Sequence, residues 1–408
     1  MKKIVLGCLA FIYWDFAQAQ FKNDNVVFKT IYIEQLCNSI NHLDEGLLLD
    51  VRTPGEFSDT SMYTGLNIGR LKGAINISSR EISKRLNEIK DYQNKPVLLI
   101  CSHSQRSRVV AKMLVDSGFA NVTNVNGGLT EFNMQRNAQA TCLNQLYETG
   151  NQFNLLSPTE TYRLIQNNKD IYIVDVRADS AFHGRTSSAL LNAFGRFKNA
   201  VNYPLASLKE NLGNIPRDKT LLIVDNYGDD SYLAAQQLLD HGFTGIHILF
   251  NGMDAWISED ERVLRERKIV WQDGPEYGLL SFLDFHRRMQ EGKKAQILDI
   301  RPNTDFTNQN KDQPFRNRGH IKDGVNIPGN ELKLRIDELK KYKKKEIIVY
   351  AFSGNPEAFT AAETLVSNGF KQVKVLTGGL FDLRWRGANI SGMKDMMNWV
   401  VDVPAENY

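Results

Sequence analysis

A cysteine and an arginine five positions apart, Cys101 and Arg106, form the stretch of this chain most suited to chemistry. An apolar run, 97–100, precedes the cysteine, and apolar residues recur at helical spacing after it until Gly118. This pattern predicts a buried strand, a short loop and a helix. Backbone N–H groups in the first turn of a helix have no partner within the helix, so they attract negative charge. We therefore expect the Cys101 thiolate to be stabilised there, with Arg106 adding a positive charge.

Further motifs flank this loop in a defined order. They are Leu49–Phe57 and Gly73–Ile77 before the loop, and Gly118-Phe119, Val122, Val125 and Asn126-Gly127-Gly128 after it. Together with the loop, the ordered set resembles the rhodanese family of sulfurtransferases. The loop departs from the commonest pattern of that family at Ser102, where a basic residue often stands, and at Ser104, where glycine is usual. These two departures bear on rate and substrate preference rather than on the class of reaction.

The resemblance implies roles for the residues of the loop. Cys101 would attack the outer sulfur of thiosulfate or a related anionic donor, carry that sulfur as a persulfide, and pass it to cyanide or a thiol. Arg106 would hold the donor's anionic oxygens, and the backbone N–H groups of the loop would cradle the persulfide. The substrate-binding residues implied in this way are Arg106, Ser102, His103, Ser104, Gln105 and Ser107. The resemblance implies no cofactor, and no His/Cys cluster has the spacing of a metal site.

Other polar residues near the motifs are interpreted as structural rather than catalytic. We expect Arg108 to be a solvent-facing helix residue. Asp50, Arg52 and Glu56 are expected to support the fold, with Arg52 and Glu56 forming an ion pair.

A repeat of about 125 residues organises the chain. The motif Asp50-Val51-Arg52 recurs at 175–177 and 299–301, and the helix-stopping pair Gly118-Phe119 recurs at 242–243 and 369–370. The predicted organisation is a signal peptide at 1–19, domains at 25–137, 156–260 and 276–390, and a tail at 391–408.

Only the first repeat retains the cysteine and the arginine. In the second repeat, Asp225 and Asp230 take their places. In the third, counting from the strand puts Ala351 at the cysteine position, counting back from the end of the helix puts Phe352 there, and Pro356 takes the arginine position. We interpret both repeats as inactive relatives that could bind a protein partner, and we expect the second to pack against the first and wall its active site.

Strands and helices alternate within each repeat, which is typical of an α/β fold. We therefore predict three tandem rhodanese-like domains, each a mainly parallel sheet with helices on both faces. Ligands of such sheets bind beyond the carboxyl ends of the strands, and Cys101 is expected at that edge.

The composition is that of an ordinary globular protein. The chain has 408 residues, of which 42% are hydrophobic and 24% are charged. A net charge of +3 is too small to imply binding to nucleic acid or to a membrane surface. The one basic run, Lys340–Lys345, is interpreted as a solvated helix end and loop.

The N-terminus has the pattern of an export signal. Two lysines are followed by a short apolar stretch, Ile4–Trp14, and by Ala17-Gln18-Ala19, a small-x-small cleavage site. The mature chain would begin near Gln20. We therefore expect an exported, periplasmic protein, and no other stretch reaches the length needed to span a membrane.

Three cysteines remain after the predicted cleavage, Cys37, Cys101 and Cys142. An odd number in an exported chain leaves at least one free thiol or an intermolecular bridge. Cys37 lies in a helix-like stretch and can be a small core residue. A Cys37–Cys142 bridge and a resolving role of Cys142 against Cys101 are both open alternatives.

Three classes of function compete for this sequence. The first is sulfur transfer, the second is a sulfur-carrying or protein-binding role without turnover, and the third is phosphatase or arsenate-reductase chemistry. Rhodanese-fold phosphatases carry one more residue between the cysteine and the arginine, which makes room for a tetrahedral phosphate. The shorter loop from Cys101 to Arg106 favours sulfur transfer.

Overall fold

The computed structural model describes residues 27–136, 141–389 and 392–404. Within them the chain forms three α/β domains, each built on a five-stranded parallel sheet. The predicted signal peptide, 1–19, lies outside the described residues. In the part that the structure describes, no helix is both long and apolar enough to cross a bilayer.

The first domain places the strand that leads to Cys101 in the middle of its sheet. Its elements are β1 (Lys29–Ile31), α1 (Ile33–Asn41), β2 (Leu47–Asp50), α2 (Pro54–Phe57), a 3-10 helix (Thr64–Leu66), β3 (Arg70–Leu71), β4 (Ile75–Asn76), two further 3-10 helices (Ile82–Lys84 and Leu86–Tyr92), β5 (Pro96–Ile100), α3 (Gln105–Asp116), β6 (Asn121–Val125), α4 (Gly128–Gln135), α5 (Thr141–Leu146) and β7 (Tyr147–Glu148). The strand order is β1-β6-β5-β2-β4.

The second domain repeats this arrangement. Its elements are β8 (Asn154–Leu156), α6 (Pro158–Asn167), β9 (Ile171–Asp175), α7 (Asp179–Phe182), α8 (Ala189–Ala193), β10 (Arg196–Phe197), β11 (Val201–Asn202), a 3-10 helix (Leu205–Asn214), β12 (Thr220–Val224), α9 (Asp229–Asp240), β13 (Ile246–Leu249), α10 (Gly252–Ile257), α11 (Glu261–Arg267) and β14 (Trp271–Gln272). The strand order is β11-β9-β12-β13-β8, so β12 lies in the middle.

The third domain follows the same plan. Its elements are β15 (Gly278–Leu280), α12 (Phe282–Gln290), β16 (Gln296–Asp299), α13 (Asn303–Phe306), a 3-10 helix (Pro314–Arg316), β17 (His320–Ile321), β18 (Val325–Asn326), a 3-10 helix (Ile336–Tyr342), β19 (Glu346–Tyr350), α14 (Pro356–Ser367), β20 (Gln372–Leu376), α15 (Gly379–Asn389), a 3-10 helix (Lys394–Trp399) and β21 (Val400–Val401). The strand order is β15-β20-β19-β16-β18. The five lysines of the basic run are exposed at a helix end and loop, as predicted.

Alternate residues of β5 pack on opposite faces of the first sheet. Leu98 and Ile100 belong to a core that α1 and α4 cover. Val97 and Leu99 belong to a second core, covered by α3. This period of two is that of a strand buried on both faces. The predicted α/β fold, a parallel sheet between two layers of helices, is thereby confirmed.

A buried ion pair braces the same corner of each domain. Arg52 donates through Nε and Nη2 to Asp50 at 2.8–3.1 Å, and Nη2 also donates to the carbonyl of Gly69 at 2.7 Å. The equivalent pairs are Arg177–Asp175 and Arg301–Asp299. The predicted pairing of Arg52 with Glu56 is wrong. Asp50 ends β2 and Arg52 lies two residues beyond it, on the same side of the extended chain, so the guanidinium turns back onto Asp50.

Each of the three segments that follow a predicted domain adds one short strand to that domain. β7 pairs antiparallel with β3, β14 with β10, and β21 with β17. β7 lies between the predicted first and second domains, and β21 lies in the predicted tail, 391–408. Both segments therefore belong to the fold of the preceding domain.

Neighbouring domains share their hydrophobic cores. One cluster of buried side chains joins Phe132 of the first domain to Phe153 and Leu155 at the start of the second. Another joins Val224 of the second domain to Val349 of the third. Because each core continues across a boundary, the domains support one another.

A disulfide joins Cys37 in α1 to Cys142 in α5. This confirms one of the two alternatives for Cys142. A resolving role against Cys101 would require that bridge to open. Among the described residues, Cys101 is the free cysteine.

Candidate active site

The loop that begins at Cys101 is held in place by the start of α4. The N–H of Leu129 donates to the Cys101 carbonyl at 2.9 Å, and the N–H of Thr130 donates to the Ser102 carbonyl at 3.0 Å. A Cβ at Gly128 would lie 2.3 Å from the Cys101 carbonyl oxygen, so the close approach of α4 requires glycine. Cys101 is only 1% exposed, at the carboxyl edge of the sheet where the sequence analysis expected it.

Two serines shape the loop around the sulfur. Ser104 has a left-handed backbone with φ of 76°, and its Oγ accepts a hydrogen bond from Asn124 Nδ2 at 3.0 Å. Ser107 Oγ lies 3.4 Å from Cys101 Sγ and 3.0 Å from the Ser104 carbonyl, so its single proton can be donated to either. The glycine usual at position 104 is therefore replaced by a serine whose hydroxyl is itself held in the core.

Arg106 is held by a carboxylate that the sequence analysis interpreted as structural. Its Nη1 and Nη2 donate to the two oxygens of Glu56 at 2.7 and 2.9 Å, and Nη2 also donates to Ser102 Oγ at 2.9 Å. Burial works against the charge of Glu56, but hydrogen bonds from Arg106 and Thr53 outweigh it and lower the pKa of Glu56 below its usual value. The same hydrogen bond to Glu56 raises the pKa of Arg106.

His103 lies at the rim of the loop. Its Nδ1 is 2.9 Å from Ser102 Oγ, and its Nε2 is 3.1 Å from Thr130 Oγ1. Burial and the positive charge of Arg106 lower the pKa of His103, so its imidazole is neutral at pH 7. Gln105 is exposed as the first residue of α3, and Arg108, predicted to face solvent, is half-buried.

The hydrogen bond from the N–H of Leu129 to the Cys101 carbonyl has a counterpart in each of the other two domains, and that counterpart identifies the equivalent loop. Met253 N–H donates to the Asp225 carbonyl at 2.9 Å, and Leu380 N–H donates to the Ala351 carbonyl at 3.1 Å. These bonds correspond to that of Leu129 with Cys101. The cysteine position of the third domain is therefore Ala351 and not Phe352, and its loop has one extra residue before the helix.

In the second domain, the equivalent loop binds a carboxylate of its own chain. The buried carboxylate of Asp225 accepts hydrogen bonds from the backbone N–H groups of Gly228, Asp230 and Ser231 at 2.8–3.2 Å. Burial raises the pKa of Asp225 to about 6, although these bonds oppose the shift. The backbone groups form an anion-binding concavity at the start of a helix. The chain fills it with its own carboxylate.

The corresponding N–H groups of the first domain belong to Ser104, Arg106 and Ser107. Both loops run between a central strand and a twelve-residue helix, and Ser104 and Gly228 share a left-handed backbone. The site around Cys101 thus has the backbone of an anion cradle, with a thiol in place of the carboxylate. That arrangement suits a thiolate or a persulfide.

We expect Asp225→Ala to lower the free energy of unfolding by about 2 kcal/mol or more, because buried N–H groups lose their acceptor. Asp225→Asn keeps one acceptor oxygen and should cost less. Urea unfolding followed by circular dichroism measures both variants. An alanine variant as stable as the wild type would show that the loop does not depend on this carboxylate.

The contact between the first two domains differs from the expected one. The 3-10 helix Thr64–Leu66 of the first domain packs on α9 of the second. A Cβ at Gly65 would lie 2.2 Å from Asp229 Oδ1, so a larger residue there would displace the Asp229 side chain. The first domain therefore covers the loop of the second domain that has Asp225 at the cysteine position. The same relation recurs where α8 of the second domain packs on α14 of the third.

The rim of the active loop borders a cavity between the three domains. Thr130, the partner of His103, lines this cavity of about 1230 Å³ together with Tyr227 and Asp254 of the second domain and Phe381 of the third. None of residues 101–107 is among the residues that line this cavity, so the expectation that the second domain walls the active site stays a prediction. Within the ranges described, no cluster of three or more His, Cys, Asp or Glu side chains could hold a metal ion.

Sequence reasoning missed the role of Glu56. The order Thr53-Pro54-Gly55-Glu56 has the spacing of a helix capping box, and the structure contains that box, with Thr53 N–H and Oγ1 both donating to Glu56. That signal places the carboxylate at the start of α2. Its other partner, Arg106, is 50 residues away, and no local pattern reveals the contact.

Comparison with known proteins identifies the family of this chain. The model of the rhodanese-like domain matches residues 34–135, 157–259 and 283–384. The mitochondrial thiosulfate sulfurtransferase RDL2 of Saccharomyces cerevisiae is 28% identical over 107 residues, which are 26% of this chain and 72% of that protein. The thiosulfate sulfurtransferase GlpE of Shewanella oneidensis is 30% identical over 88 residues, which are 22% of this chain and 77% of that protein. A mitochondrial relative from Schizosaccharomyces pombe is 30% identical over 88 residues, and the match spans 21% of this chain and 62% of that protein.

Two similar solved structures cover most of the chain at low sequence identity. A thiosulfate sulfurtransferase from Pseudomonas aeruginosa is 16% identical and covers 86% of this chain and 66% of its own, with a TM-score of 0.21. A variant of EanB in complex with ergothioneine is 13% identical and covers 89% of this chain and 98% of its own, with a TM-score of 0.25. Since the family model matches all three repeats, the chain belongs to the rhodanese-like family and contains three such domains in tandem.

Proposed function

We propose that this protein is an exported, periplasmic sulfurtransferase that moves sulfane sulfur from thiosulfate or a similar donor to a thiol or cyanide through a persulfide on Cys101. The observation that carries the proposal is the anion cradle at the start of α3. In the second domain the equivalent backbone N–H groups hold the Asp225 carboxylate. In the first domain Cys101, a free and buried thiol, takes the place of that carboxylate.

The proposed reaction has two steps. The Cys101 thiolate attacks the outer sulfur of the donor, the sulfur–sulfur bond of the donor breaks, and its remainder leaves with the bonding electrons. An acceptor thiolate or cyanide then attacks the outer sulfur of the persulfide, and Cys101 leaves again as a thiolate. The loop N–H groups stabilise the negative charge in both states.

The loop length argues against phosphatase chemistry. Arg106 follows Cys101 by five residues, and Ser102 Oγ bridges Arg106 and His103 within that span. A sulfur-carrying role without turnover is the second candidate, and the burial of Cys101 favours it, since a 1% exposed residue leaves little room for an acceptor. Release of the sulfur to an acceptor thiol distinguishes the two.

Purified mature protein incubated with thiosulfate should gain one sulfur atom on the peptide that contains Cys101. Intact-mass analysis followed by peptide mapping measures the gain. Adding cyanide or a low-molecular-weight thiol should then remove the sulfur with release of thiocyanate or a new persulfide. A stable persulfide that no small acceptor discharges would favour the carrier role. An unchanged mass with Cys101 proven free would count against sulfur transfer.

A further inference from the structure

We propose that the cavity between the three domains is a docking site for a basic peptide segment of a partner protein, with Asp254 as the main anchor for a lysine or arginine side chain. This surface is separate from the loop of Cys101. The proposal therefore goes beyond sulfur transfer and does not depend on it.

The lining of the cavity carries an excess of negative charge that comes from all three domains. Six of its side chains are carboxylates, and one, Arg386, is a permanent cation. The carboxylates are those of Glu34, Glu131, Asp254, Glu259, Asp260 and Asp382. Among the described residues, no three or more His, Cys, Asp or Glu side chains could share a metal ion, so these carboxylates do not converge on one point. A ligand that matches them carries its positive charges apart, as the side chains of a peptide do.

Asp254 is a carboxylate of this lining that lacks a cationic partner. Its side chain is half-buried, and within the described part of the chain no hydrogen bond or positive charge offsets that burial. Burial, and after it the negative charge of Asp382, raises the pKa of Asp254 to about 6. By contrast, Asp260 accepts a hydrogen bond from Arg287 at 2.9 Å. A lysine or arginine beside Asp254 would compensate a charge that the fold leaves uncompensated.

The third domain shows how a basic side chain fits against this lining. Arg386 donates through Nε to the two oxygens of Asp382 at 2.8 and 3.0 Å. Its guanidinium carbon also lies 4.4 Å from the centre of the Phe282 ring. A carboxylate and an aromatic face thus hold one arginine of the chain itself, and both kinds of contact stabilise a guanidinium.

Asp254 offers the same combination of carboxylate and aromatic ring without the cation. Tyr227 and Phe381 line the cavity and are 50% and 39% exposed. Burial, and after it the negative charge of Asp254, raises the pKa of Tyr227, so that ring lies within electrostatic reach of the carboxylate. A basic side chain that enters here gains an ion pair and an aromatic contact together.

The size of the cavity favours a chain segment over a small ligand. Its volume of about 1230 Å³ exceeds the roughly 300–1,000 Å³ of most small-molecule sites. Apolar side chains, among them Met134, Leu283 and Phe359, lie between the charged ones. Opposite charges on the two partners would steer the segment into the cavity and fix its register.

Fluorescence anisotropy of a labelled hexa-arginine peptide with the full-length protein tests this proposal. We expect saturable binding that weakens as salt is added, and no binding of a labelled hexa-glutamate peptide. Asp254→Asn should weaken the binding of hexa-arginine about tenfold, because a charge pair shielded from water contributes more than an exposed one. Asp240→Asn is the matched control. It removes the same charge from the same domain, but Asp240 is exposed at the end of α9 and does not line the cavity, so the affinity should stay near that of the wild type.

Two further measurements separate loss of the site from loss of the fold. Asp254→Asn removes a carboxylate whose raised pKa means that its ionisation at pH 7 opposes folding, so its urea midpoint at pH 7 should be no lower than that of the wild type. Phe381→Leu keeps every charge and removes one aromatic face, so it should weaken binding about threefold. Equal affinities of Asp254→Asn and Asp240→Asn, an unchanged affinity of Phe381→Leu, or a wild type that does not bind hexa-arginine would overturn the proposal.

Discussion

Replacement of Cys101 by serine is expected to abolish sulfur loading and transfer completely. Serine retains the size of the side chain, but its hydroxyl is not a thiolate at neutral pH and cannot form a persulfide. Intact-mass analysis after incubation with thiosulfate or glutathione persulfide should show no added sulfur. Sulfur release to an acceptor thiol should fall to the rate measured without protein.

The control for this loss of sulfur loading is a variant that lacks the two disulfide-bonded cysteines. The double variant Cys37→Ser and Cys142→Ser removes both other cysteines of the described residues and keeps Cys101. It should still load one sulfur atom, although it should unfold at a lower temperature because the bridge between α1 and α5 is gone. Sulfur on the Cys101→Ser variant, or none on the double variant when it is folded, would show that the nucleophile is misassigned.

Arg52→Leu is expected to have the largest effect on stability. Arg52 and Asp50 are both fully buried, and the substitution leaves the Asp50 carboxylate without its partner inside the first domain. Removal of one member of a buried pair typically costs about 3–5 kcal/mol. Leucine also cannot replace the hydrogen bond from Nη2 to the Gly69 carbonyl. The urea concentration at the midpoint of unfolding should therefore be much lower for this variant than for the wild type.

An exposed arginine provides the comparison. Arg85 bonds to Glu88 and Glu81 on the surface of the same domain, with 38% of its side chain exposed. Arg85→Leu should change the urea midpoint little, because exposed ion pairs contribute weakly to stability. Equal effects of the two substitutions would mean that burial of the Asp50–Arg52 pair does not matter. The repeated pairs at Arg177 and Arg301 allow the same comparison in the other domains.

Much of the fold could be predicted from local patterns. The strand before Cys101, the glycine at the end of the following helix and the repeated Asp-x-Arg motif are all signals within a few residues. The segments 147–148 and 400–401 were not recognised as strands, because two-residue strands have no periodicity to detect. They pair with β3 and β17, which lie far away in the sequence.

Parts of the site depended on contacts that no local pattern contains. Arg52 and Glu56 have opposite charges four positions apart, and the predicted ion pair followed from that spacing alone. In the fold, Arg52 turns toward Asp50, while Glu56 meets Arg106 from another part of the chain. The Cys37–Cys142 bridge, with a separation of 105 residues, likewise depended on which helices pack together.

The sequence by itself determined which cysteine is the candidate nucleophile, the position of its loop between strand and helix, and the loss of the cysteine from the other two repeats. Those properties depend on residue type and local spacing. Only the tertiary structure decided that Glu56 neutralises Arg106 and that Asp225 occupies the cradle of its own loop. Electrostatic and hydrogen-bond partners are chosen by distance in space, and a sheet brings together residues from distant strands and helices. The position of Cys101 at the start of its loop could therefore be predicted from the sequence, whereas the ion pair and hydrogen bonds around that loop could not.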